Sequence, residues 1–167
     1  STQLAKLVRE EMMIGDLLKM DYGECEILIH DHMRQKVGGV PMGCFLLATR
    51  MQPNKSYAPD KEDTSVILLR VNGQARLPNA GELDMIRLMA GQRSSDSLEH
   101  WDHEGKTDQF TIHQLRYSGL TCGVLGTFRF KKNIEKDEWF FSFGADISNF
   151  YSGRGMKVYK PVGNALQ

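Results

Sequence analysis

Two short apolar runs, Cys25 to Ile29 and Cys44 to Ala48, are joined by a polar, glycine-rich connector. The connector carries Val37-Gly38-Gly39-Val40-Pro41-Met42-Gly43. Isoleucine, leucine and phenylalanine dominate the runs, which are too short for ordinary helices, so both read as strands. Gly38, Gly39 and Gly43 permit backbone angles that other residues resist, and Pro41 fixes its own. Such strands bury little alone. The expectation is a small barrel in which they form the framework.

The rest of the chain repeats the pattern. Leu4, Leu7 and Val8 stand at helical spacing in a short lead-in over 1–11. A strand over 14–20 is interrupted by Gly15-Asp16, and the turn Asp21-Tyr22-Gly23 leads into a strand over 24–30. A third strand is expected over 43–51, and residues 52–64, with Pro53 and Pro59, read as a surface loop. Val66 to Val71 is strongly apolar, and Asn72-Gly73 after it is a hairpin-type dipeptide.

The period then changes. Asn79 and Glu82 have capping-box spacing, and Leu83, Ile86, Met89 and Ala90 make a helical stripe, so a helix is expected over 80–90. Residues 92–109 are polar and irregular. Strand signals return over 111–117, followed by Ser118-Gly119 as a turn. A long strand over 120–130 is broken by Gly123 and Gly126, which suggests a bulge or a sharp barrel bend. A charged loop over 131–137 precedes a strand over 138–143. Trp139, Phe141 and Phe143 there face Phe128 and Phe130 in an aromatic hairpin. A last strand covers 156–160. The expected fold is mainly β: a small closed or partly open barrel over 1–160 with a helical insertion at 79–104, then an exit linker over 161–167.

Composition narrows the function classes. The chain has 167 residues, enough to bury a core without disulfides. Lys+Arg and Asp+Glu both total 21, so the basic excess of a free-standing nucleic-acid binder is missing. Cys25, Cys44 and Cys122 lie far apart without a CxxC pair and read as buried free thiols, which fits a reducing cytoplasm. No apolar run reaches the ~20 residues of a membrane span.

Catalytic signatures fail one by one. Gly105-Lys106-Thr107 resembles the end of a phosphate-binding loop, but the required earlier glycine is His100 and no apolar strand precedes it. His30-Asp31-His32, with His100 and His103, supplies imidazoles for a metal, yet nothing in the spacing brings the pairs together. Cys44 opens an apolar strand and reads as core. Gly153-Arg154-Gly155 lets an arginine approach a phosphate closely. The aromatic set of the hairpin reads as barrel core, or as a protein-contact surface if exposed at an edge. A ligand- or nucleotide-binding barrel and a small metal- or cysteine-dependent hydrolase are the alternative readings.

The order of the pieces resembles a family. It runs through Ile14-Gly15-Asp16-Leu17-Leu18, the strand at Glu24 to Ile29, Val37 to Gly43 and Phe45-Leu46-Leu47-Ala48. It continues with Gly123-Val124-Leu125-Gly126-Thr127-Phe128, Phe143 to Tyr151 and Met156 to Pro161. This order is similar to the N-terminal HAS-barrel of HerA-type ATPases, closest to bacterial HerA-like proteins of anti-phage defence. The resemblance implies a module of a homo-hexameric DNA translocase or helicase of the HerA/FtsK class, in which the barrel organises the ring and docks an effector such as a nuclease. It implies that this segment is not itself an enzyme and holds no cofactor. ATP and Mg would belong to a motor domain after Gln167, through which DNA would be engaged. The subunit or partner contact is then expected at His30, Asp31, His32, Val37, Gly38, Gly39 and Arg154.

Overall fold

The computed structural model describes residues 8–75, 117–145, 153 and 155–162. Among the described residues, seven strands carry the fold: β1 (Met13–Met20), β2 (Glu24–His30), β3 (Phe45–Thr49), β4 (Val66–Ala75), β5 (Tyr117–Asn133), β6 (Glu138–Gly144) and β7 (Lys157–Tyr159). A 3-10 turn at Glu10–Met12 precedes β1, and one short helix, α1 (Asp31–Lys36), follows β2. No helix among the described residues is long and apolar enough to cross a membrane.

The sheet order is β2-β1-β7-β3-β4-β5-β6, and β2 also pairs with β5. That pairing closes six antiparallel strands into a barrel and leaves β6 outside it. Closure removes the exposed edges that would otherwise invite pairing with other chains. Alternation along the strands fills the interior with Ile14, Leu17, Ile27, Ile29, Leu46, Ala48, Ile67, Leu69, Val71, Leu120, Val124 and Val158. Each fully buried aliphatic side chain contributes about 1.5–3 kcal/mol, so this cluster is the main source of stability. A second cluster lies on the outer wall, where Val8, Leu47, Met51, Val66 and Tyr159 pack with Tyr57, Phe128, Phe130 and Phe141. β3 is therefore buried on both faces, which is why it reads as a continuous apolar run.

β5 is the long element of the molecule. Along one edge it pairs with β2 through Tyr117–Gly123, then with β6 through Thr127–Asn133. Its other edge pairs with β4. The expected bulge is present: Leu125 is the extra residue between the pairs Leu69↔Val124 and Leu68↔Gly126. Beyond Phe128, β5 leaves the barrel and continues with β6 as a hairpin arm.

Several local expectations are corrected. Asn72-Gly73 is not a turn. β4 runs through it to Ala75, with Asn72 as the extra residue of a second bulge opposite Thr121 and Cys122. Ser118-Gly119 is not a turn either, because Ser118 pairs with Ile29 and Gly119 with both Leu28 and Ala75. In both places, pairing with distant strands overrides a local turn preference. Gly15-Asp16 does not interrupt β1: a Cβ on Gly15 would stand 1.8 Å from the Leu28 carbonyl oxygen, so glycine permits the strands' close approach. The loop after β5 is shorter than expected. β5 extends to Asn133, whose Oδ1 accepts from the backbone N–H groups of Glu135 and Lys136 and shapes the turn.

The connector holds a further difference, since residues 31–36 are helical. Val37 follows, then Gly38 at φ 77°. The Gly39 N–H donates to the Arg34 carbonyl at 2.8 Å, and the Gly38 N–H to the Gln35 carbonyl at 3.1 Å. These two bonds form a Schellman motif, which requires the left-handed residue that Gly38 supplies. The helix and insertion expected over 79–104, residues 105–107, most of the strand over 111–117, Arg154, and residues 163–167 of the exit linker lie outside the described residues.

Candidate interaction surfaces

Two surfaces carry chemistry. The first lies where β2 passes into α1. Asp16 on β1 faces outward between Lys157 on β7 and His30 at the end of β2. It pairs with the Lys157 ammonium, and its other oxygen is 3.7 Å from His30 Nε2. Burial is the largest influence on Asp16 and pushes its carboxyl up. The nearby His30 imidazole and the Lys157 ammonium together outweigh it, so Asp16 ends below the ordinary aspartate value. His30 also packs on Tyr117, with ring centroids 4.4 Å apart, and lies edge-on to His32 at 6.0 Å. Ser118 Oγ donates to Asp31 Oδ1 at 2.8 Å.

The structure divides the residues expected at a contact. His30 and Asp31 are engaged with barrel side chains. His32 and Gly38 are exposed, while Val37 is buried in the interior cluster. Lys160 Nζ donates to the carbonyls of Val37 and Gly39 at 3.0 and 2.9 Å, tying the connector to the end of β7. His30 and His32 lie edge-on, His100 and His103 fall outside the described residues, and among the described residues no set of three histidine, cysteine or carboxylate side chains is placed to hold a metal. Sequence reasoning groups Lys157 with Arg154 and Lys160 as a basic cluster but does not pair it with Asp16, because the two are far apart in the chain and only the β1–β7 pairing joins them.

The second surface is the β5–β6 arm. Phe128 pairs with Phe143, Phe130 with Phe141 and Lys132 with Trp139, so these six side chains share one face. Ring centroids are 4.7 Å apart for Phe128 and Phe143 and 4.0 Å for Phe130 and Phe141. Phe128, Phe130 and Phe141 pack against the outer-wall cluster, which anchors the arm. Its apolar character continues past that anchor, where Trp139 is 39%, Phe140 43% and the turn residue Ile134 91% exposed, and Phe143 at the base of the arm is 48% exposed. Phe140 lies on the face opposite Trp139 and Phe143. The aromatic alternation is visible in the sequence. What it lacks is the information that β6 stands outside the closed barrel.

Balanced charges surround these apolar groups. Lys131, Lys132 and Lys136 alternate with Glu135, Asp137 and Glu138 around the turn, and Lys132 pairs with Asp137 at 2.6 Å. Such an arm suits contact with a mixed-charge protein surface better than with a polyanion. No protein-family model matches the chain, and no curated protein matches it at a significant level.

Proposed function

We propose that this chain is the assembly and partner-docking barrel of a ring-forming, HerA-class DNA translocase acting in the cytoplasm. The observation that carries the reading is the β5–β6 arm, which leaves an otherwise closed barrel and exposes Trp139, Phe140 and Phe143. The six barrel strands satisfy one another's edges, and the arm that leaves them adds exposed aromatic side chains. Aromatic residues are the side chains that contribute most at protein–protein contacts. In this reading the barrel performs no nucleotide chemistry, and ATP and Mg act in a motor domain following Gln167. The partner is a protein effector such as a nuclease.

The test is mass photometry and partner capture with the full-length gene product, with and without nucleotide. A ring-sized species is expected. The double substitution Trp139→Ser with Phe140→Ser is expected to lose the ring or the effector while the circular dichroism spectrum stays unchanged. Unaltered assembly and partner binding in that variant overturns the docking role. A gene lacking a strand followed by GxxxxGK[ST] downstream of Gln167 overturns the motor assignment.

A further inference from the structure

The pairing that closes the barrel contains two cysteines. Cys25 on β2 is the direct partner of Cys122 on β5. Both side chains point into the interior cluster, and both are free thiols. Directly opposed residues of an antiparallel pair have Cα atoms about 4.5 or 5.5 Å apart, and both values lie inside the disulfide window. β2–β5 is also the seam whose opening would turn the barrel into an open sheet. A bond there acts on closure itself, which a bond between strands joined by a tight turn would not do.

We propose that Cys25 and Cys122 form a reversible cross-strand disulfide that locks the closing seam of the barrel. The step is two successive thiol–disulfide exchanges with a small-molecule disulfide such as oxidised glutathione. One cysteine, as thiolate, attacks a glutathione sulfur and releases one glutathione thiolate, leaving a mixed disulfide. The second cysteine, as thiolate, attacks the protein sulfur of that mixed disulfide and releases the second glutathione. The Cys25–Cys122 bond forms, one glutathione disulfide bond breaks, and the oxidant takes up two electrons. The two protons lost by the protein thiols end on the two glutathiones.

The site also sets the rate and the reversibility. The Cys25 thiol is pushed well above its ordinary value by its hydrogen bond to Cys122 and then by burial, so little thiolate is present in the closed seam. Cys25 is the second residue of β2, next to exposed Glu24 and the turn at Tyr22. Fraying of this strand end is the opening that admits the oxidant. Opposed Cβ atoms in a sheet stand somewhat farther apart than a relaxed disulfide prefers. The bond therefore carries strain and returns readily to two thiols under reducing conditions.

The experiment uses the 167-residue chain carrying Cys44→Ser, which leaves Cys25 and Cys122 as its only thiols. The protein is incubated with oxidised glutathione while circular dichroism monitors the fold. It is then quenched with N-ethylmaleimide under denaturing conditions and digested. The expected results are loss of both thiols with the fold intact, a Cys25–Cys122 linked peptide, and a chain lighter by two hydrogens. A higher urea midpoint, restored by dithiothreitol, is expected to accompany them. Cys25→Ser or Cys122→Ser in the same background is expected to stop at a glutathione adduct or remain unmodified, with no change in the urea midpoint on oxidation. Three outcomes overturn the proposal: oxidation only after the fold is lost, glutathione adducts that never resolve to the internal bond, or bonds only between chains.

Discussion

Phe128 and Phe143 are direct cross-strand partners, and their ring centroids lie 4.7 Å apart. This contact stands where β5 leaves the barrel, because Phe128 also pairs with Val66 on β4. Gly126 beside it makes room for the ring: a Cβ there would meet the Phe143 ring at 2.8 Å and the Gly144 carbonyl oxygen at 2.4 Å. The pair therefore couples the arm to the barrel wall. A double-mutant cycle with Phe128→Ala and Phe143→Ala is expected to give a coupling of about 1 kcal/mol in urea unfolding. Additive single effects would mean that the rings do not hold the arm.

The glycines separate into three mechanical classes. A Cβ on Gly15 meets backbone that has no rotamer with which to yield. Gly15→Ala is expected to cost about 3 kcal/mol, the upper end for an overfilled site, because β1 must move away from β2. Gly38 has open space around it but a φ of 77°. Gly38→Ala is expected to cost about 1–2 kcal/mol through the left-handed backbone alone. Gly23 has neither constraint, and Gly23→Ala is expected to stay within about 0.5 kcal/mol of the parent. Denaturant midpoints of the three variants test the ranking, and equal losses at Gly15 and Gly23 would contradict the close approach.

The same residues show what was legible in the sequence. β2, β3 and the first part of β4 announce themselves as short aliphatic runs, because burial selects those side chains wherever a strand lines a core. The bulge near Gly126 and the aromatic hairpin were likewise visible from local pattern. Helix α1 was not, since six residues are too few to show a helical period. Its signs were Asp31 in the first turn, Arg34 and Lys36 in the last, and Gly38 just beyond the end. The turn readings at Asn72-Gly73 and Ser118-Gly119 failed because strand pairing on β5 is decided by distant partners. Closure through β2–β5 is non-local in the same way. That one pairing brings Cys25 to Cys122, and the β1–β7 pairing brings Asp16 to Lys157.

Asp16 ties acid stability to the seam between β1 and β7. Its folded-state value is below the ordinary 3.8, so the unfolded chain takes up the proton first as the pH falls. The stability that the carboxylate contributes is fully present above 3.8 and is lost as the pH falls through the lower folded-state value. Asp16→Asn is expected to be less stable than the parent near neutrality. The gap between the two urea midpoints should begin to narrow near pH 3.8 and be gone once the pH has fallen past the lower folded-state value, where the parent side chain is neutral in both states. A gap that persists unchanged in acid would show that the charge on Asp16 contributes nothing.

Tyr159 sets the alkaline limit. It is almost fully buried at the end of β7 among Val8, Leu47, Met51 and Val66, and its hydroxyl is pushed up to about 12. Burial is the main cause, with Glu10, Tyr57 and Asp16 adding to it. The folded chain therefore keeps this proton after the unfolded chain has released it near the ordinary value of 10. Its stabilising contribution is complete below 10 and is lost as the pH rises towards 12. Tyr159→Phe removes this dependence while keeping the ring in the outer cluster. Urea midpoints of parent and variant between pH 9 and 12 are expected to diverge in slope, with the parent losing stability faster. Absorbance at 295 nm should show one tyrosine fewer titrating late in the folded variant. Parallel slopes would place the Tyr159 hydroxyl in contact with solvent and remove the outer cluster's claim on it.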